Sequence, residues 1–145
     1  MVAVKKENIN YISDPELMDI IDKSGTQRMY SQRLYLYFLA KKFDLKEEID
    51  SLRNNVTLYS AYREVEDILP YLLNFELNTL EIQKLVGKAM ITFERLRSQK
   101  LDFLDGKASL NIVNDSVNQL TLDFDELTLA YRELSINNTN NLSSN

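Results

Sequence analysis

Three glycines and two prolines in 145 residues leave this chain almost without the residues that reverse a backbone. A sandwich or barrel turns every ten residues or so and needs many more of them, so helices are the economical solution. Apolar residues make up 44% of the sequence, enough for one core in a chain of single-domain length.

The apolar pattern supports helices directly. Ser13 and Glu16 have capping-box spacing, and Pro15 falls in a first turn, where its missing N–H is tolerated. Met18, Ile21, Gly25, Met29, Gln32, Leu36, Leu39 and Phe43 then step by threes and fours, predicting one buried helical stripe over about 14–43. Asp44 and Glu47 form a second capping pair, followed by Leu45, Ile49, Leu52, Val56 and Tyr59 at the same steps. This second helix is expected to stop before Pro70, with Ile68 to Asn78 as a connector.

Asn78 and Glu81 suggest a third start, Ile82, Val86, Ala89, Phe93, Leu96 and Phe103 carry its stripe, and Asp105-Gly106 is a natural stop. Val113, Val117, Leu120, Phe124, Leu127, Tyr131 and Leu134 form the cleanest stripe, alternating four and three without a miss. The expected fold class is all-α, an antiparallel four-helix bundle built of two long helical hairpins. Residues 1–13 are read as a leader, 14–136 as one domain, and 137–145, rich in asparagine and serine, as a disordered tail.

Composition excludes much chemistry. Without cysteine there are no disulfides, thiolate metal sites or cysteine nucleophiles; without histidine there is no catalytic triad, histidine-ligated haem or histidine phosphotransfer. No cofactor is expected, and an enzyme is set aside. The net charge of −5 argues against nucleic acid as a partner. The longest apolar run, Leu34 to Ala40, is far short of the ~20 residues that span a bilayer. Residues 1–10 lack the apolar stretch of a signal peptide, so the chain reads as cytosolic or as a soluble piece of a longer protein.

Against that acidic background, Lys23, Arg28, Arg33, Lys41 and Lys42 occur with no acid between Asp22 and Asp44. The helical neighbours of Arg28 are Ser24, Gly25, Ser31 and Gln32, none able to neutralise it. Gly25 is costly inside a helix, and beside Ser24 it makes a small-residue notch. Arg28 either pairs with an acid from another helix or holds an anion there. Lys23 has Asp19 one turn earlier. The acidic groups Glu64, Glu66, Asp67 and Asp123, Asp125, Glu126 read as solvated helix faces, and the tyrosines at 30, 35 and 37 as packing at a core boundary.

The string Ile21-Asp22-Lys23-Ser24-Gly25-Thr26-Gln27-Arg28-Met29-Tyr30-Ser31-Gln32-Arg33 resembles the first-helix motif of the PilJ-type domain. That domain is the N-terminal sensor module of type IV pili methyl-accepting chemotaxis transducers, and is similar to the nitrate-sensing P-box of NarX-like histidine kinases. The resemblance implies a periplasmic, non-catalytic four-helix module. It would be a weak homodimer through the first helix that binds a small anion at the dimer interface and signals to a receptor or signalling partner. It implies Lys23, Gly25 and Arg28 as ligand-binding residues, with Asp22 where asparagine is usual. The rival reading is a helical scaffold or protein-interaction domain that binds no small molecule.

Overall fold

In the computed structural model, which describes residues 15–43 and 58–143, the chain is all-helical, with four helices among the described residues. They are α1 (Pro15–Phe43), α2 (Leu58–Leu73), α3 (Leu80–Leu104) and α4 (Leu110–Ser143). α1 packs on both α2 and α4, α3 packs chiefly on α4, and α2 touches α3 along a shorter seam, as in a bundle. The leader, the Ser13 cap, the Asp44–Glu47 start and the stripe from Leu45 to Val56 lie outside the described residues.

α1 is a helix where expected, but its buried face is not the predicted one. Leu17, Ile20, Ser24, Gln27, Ser31, Leu34 and Phe38 point inward, while Met18 (50% exposed), Met29 (42%) and Phe43 (61%) face out. The true stripe lies about 100° around the helix from most of the predicted one. Three polar residues occupy its centre, so the apolar pattern of the sequence pointed to the neighbouring face.

α2 also differs from expectation, because it runs through Pro70 to Leu73. Pro70 lies on the exposed face one turn from the end, so it forfeits a single backbone hydrogen bond, while Ile68, Leu69 and Leu72 on either side of it are buried. The connector shrinks to residues 74–79. Asn74 ends the helix by donating from both its backbone N–H (3.1 Å) and its Nδ2 (2.9 Å) to the Pro70 carbonyl.

The cap of α3 is Thr79, one residue after the predicted start, and its hydroxyl accepts the Ile82 N–H at 3.1 Å. Asn78 instead ties the turn to the bundle. Its Nδ2 donates to the Leu72 carbonyl (2.7 Å), and its Oδ1 accepts from the Tyr131 hydroxyl (2.9 Å). All six predicted core residues of α3 are buried, and the helix ends at Asp105 with Gly106 at φ 77°. In α4 the residues from Val113 to Tyr131 in the predicted stripe are buried, and Leu134 is partly so. The helix continues to Ser143, where a disordered tail was expected after Ile136. No glycine or proline follows Leu134 to stop it. No described helix is long and apolar enough to cross a membrane.

Candidate functional site

The Ser24-Gly25 notch meets α4. The Ser24 hydroxyl donates to the Ile21 carbonyl (3.1 Å) and accepts from Thr128 (3.1 Å), a buried polar contact between the two helices. A Cβ on Gly25 would sit 3.8 Å from Thr128 Cγ2, an ordinary van der Waals distance, so packing within the chain does not require glycine there.

One turn on, Arg28 Nη1 lies 3.5 Å from Asp125 Oδ1, with the arginine side chain 60% exposed. It therefore has a partner on another helix, though a long and solvated one that contributes little. Gly25, Arg28, Met29, Asp125, Leu129 and Arg132 line an open groove of about 720 Å³ between α1 and α4. Arg132 is exposed and makes no ion pair among the described residues.

Lys23 is not part of this groove. It lines a second cleft, between α1 and α2, where Asp19 holds its ammonium at 3.0 Å and the Tyr71 ring lies under it at 4.4 Å. The hydrogen bond that Lys23 donates to Asp19 raises the lysine pKa above its ordinary value. Of the three residues implied as ligand-binding, the fold brings Gly25 and Arg28 together and places Lys23 elsewhere. The basic run as a whole disperses around α1. The Arg33 guanidinium lies over the Tyr30 ring (5.8 Å), and Lys42 donates to the Phe103 carbonyl (2.8 Å).

Tyr37 is buried in the core, and Tyr30 and Tyr35 pack against it. One acidic residue departs from the expected solvated face. Asp123 is 1% exposed, accepting from Thr92 Oγ1 (2.6 Å) and Gln119 Nε2 (2.9 Å), with Lys88 Nζ at 3.6 Å. Lys88 also reaches Glu126 at 3.0 Å, and that hydrogen bond is the main cause of its raised pKa. Sequence reasoning also missed Gln27 and Ser31, both buried, whose Oε1 and Oγ have no hydrogen-bond partner among the described residues. The available signal was the series 17, 20, 24, 27, 31, 34, 38, which alternates three and four throughout once polar residues are admitted to the stripe.

No protein-family model matches the chain, and no curated protein or solved structure matches it.

Proposed function

We propose that this chain is a non-catalytic, ligand-sensing input module, an antiparallel four-helix bundle that binds a small anion as a weak homodimer. The observation that carries the reading is the α1–α4 groove, where Gly25, Arg28 and Arg132 share the lining with the exposed apolar side chains of Met29 and Leu129. Guanidinium forks suit oxyanions, because each donates two parallel hydrogen bonds and stays charged at any accessible pH. A two-fold axis passing near Arg28 would set like charges face to face, and an anion between them would relieve the repulsion. The glycine, unneeded inside the chain, would then serve close approach of the second copy. Opposed helix directions are supported by contacts that pair Ser24 with Thr128 and then Arg28 with Asp125, and Lys88 with Glu126 and then Arg95 with Ser116. The motif from Ile21 to Arg33 supports placement in the periplasm and a receptor-type output partner, through its resemblance to PilJ-type sensors.

Nitrate, nitrite, sulfate and organic acids titrated into the protein by calorimetry test the reading, with sedimentation run in parallel. Arg28→Ala should abolish binding and Arg28→Lys should weaken it about tenfold by losing the fork. Asp22→Asn and Asp125→Asn should strengthen it, the second by freeing Arg28. Bound anion should shift the protein toward dimer, since a bridging ligand stabilises only the paired state.

The second reading, a protein-interaction scaffold, is favoured by the apolar residues exposed on this face. Leu122, Leu129 and Ile136 recur every seven residues on α4, beside Met18 and Met29 on α1. Identical behaviour of all four variants and the wild type would select it.

A further inference from the structure

The groove that holds Arg28 and Arg132 is lined by α1 on one side and α4 on the other, and its two rims match. The Ser24–Thr128 hydrogen bond and the Arg28–Asp125 ion pair fix which residues of the two helices stand level. With the opposed helix directions of the reading above, steps of three and four carry those levels along the face. Met18 is level with Ile136, Asp22 with Arg132, Gly25 with Leu129, and Met29 with Asp125. Met18, Met29, Leu129 and Ile136 are large, apolar and exposed.

Gly25 is a hollow. A Cβ built there would have Thr128 Cγ2, at 3.8 Å, as its nearest contact outside its own stretch of helix. Level with it, Leu129 is a knob, 57% exposed. Glycine is unfavourable inside a helix, and the chain's own packing does not call for it here, which leaves room for a side chain arriving from outside. The charges are arranged as reciprocally as the shapes. Arg28 on α1 is level with Asp125 on α4, Asp22 on α1 with Arg132 on α4, and Arg132 makes no ion pair among the described residues.

A two-fold axis parallel to the helices keeps every level and lays α1 of each copy against α4 of the other. Leu129 of one copy then enters the hollow of the second while its own hollow is filled in return. Arg28 meets Asp125 and Asp22 meets Arg132 across the interface, and Met18 and Ile136 close the apolar row. An axis perpendicular to the helices would set α1 against α1 and α4 against α4, pressing leucine on leucine and hollow on hollow. We propose that this face is closed by a second copy of the chain in the first of these two arrangements. The proposal rests on the homodimer and helix directions of the reading above but not on its anion, because each charge on the face meets its opposite.

Sedimentation of the whole chain, in a buffer free of nitrate, nitrite, sulfate and organic acids, should show a concentration-dependent equilibrium between monomer and dimer. Leu129→Asp should weaken association at least about tenfold at an unchanged thermal midpoint. Asp22→Arg and Arg132→Asp should each weaken it about tenfold, and the double variant carrying both should recover, since its pair is only reversed. With a perpendicular axis Asp22 would face Arg28, and Arg132 would face Asp125, so the double variant would stay weak. The chain has no cysteine, so single cysteines report the contact directly. Gly25→Cys mixed with Leu129→Cys should give disulfide-linked dimers on oxidation, and Leu129→Cys alone should not. A monomer at every concentration, a double variant that stays weak, or ready cross-linking of Leu129→Cys to itself would overturn the proposal. Association that appears only when an anion is added would also overturn it while upholding the anion reading. Association without anion, together with no heat from any of the four anion types, would uphold this interface and remove the ligand.

Discussion

Asp123 shows how a single residue can carry a helix interface. A buried carboxylate costs several kcal/mol of desolvation, which its three partners must offset together. The amide of Gln119 donates to it, and the Thr92 hydroxyl, which also reaches the Lys88 carbonyl at 3.1 Å, makes its shorter contact with it, whereas half-exposed Lys88 can turn to water. Asp123→Ala should therefore cost about 2–3 kcal/mol, the lower end for breaking a buried pair, and Asp123→Asn about 1 kcal/mol. Urea melts should show a lowered midpoint at unchanged slope; a midpoint equal to wild type for Asp123→Ala would show the network to be incidental. At this scale the sequence was partly readable. Arg28 stood out because no acid lies within a helical turn of it, and Asp125 became its partner only through tertiary packing. The same blindness hid Asp123, because an Asp-Phe-Asp-Glu run looks solvated until a neighbouring helix covers one of its faces. Lys23 and Arg28 looked like one site because they are close in sequence, yet five helical steps turn them about 140° apart.

Among the elements, α3 and α4 were legible because apolar residues carry the main inward stripe of each, even with Thr92, Ser116, Asp123 and Thr128 buried beside it, and Gly106 marks the stop of α3. α1 was legible as a helix but not in its rotation. Polar Ser24, Gln27 and Ser31 face inward while methionines face out, and a hydrophobicity pattern can follow only the methionines. Pro70 misled because a proline in the last turn removes just one bond. The glycines separate helix economy from other demands. Gly87 lies within α3, and a Cβ added there would meet nothing within 4 Å, so Gly87→Ala should stabilise by up to about 1 kcal/mol. Gly106→Ala should destabilise by about 1 kcal/mol, because φ 77° is left-handed backbone that alanine resists. Gly25→Ala decides more. The fold accommodates the methyl, so the thermal midpoint should hold or rise while anion binding and dimerisation fall. A variant that keeps both would show that nothing approaches the notch.

For the molecule as a whole, alkaline pH should be the weak side. Burial raises the phenol pKa values of Tyr62 and Tyr131 above the ordinary value, and both rings lie in the core. In the unfolded chain these phenols ionise near pH ~10, whereas in the folded protein they stay neutral to higher pH. Their contribution is therefore full below about pH 10 and is lost as pH rises through the folded values. Thermal midpoints should fall in that window. Tyr131→Phe should start about 1 kcal/mol lower at neutral pH, having lost its bond to Asn78, and fall less steeply. Parallel curves would assign the alkaline limb to other groups. The same aromatic core has an optical consequence. Tyr37 on α1, Tyr62 on α2 and Phe93 on α3 stand in successive ring contacts of 5.5 Å, with the Lys100 ammonium 4.6 Å from the Tyr62 ring. With no tryptophan in the chain, its intrinsic ultraviolet emission comes from tyrosine alone. Undocking of α1 or α2 changes the surroundings of these rings, so a label-free fluorescence trace reports where three of the four helices meet.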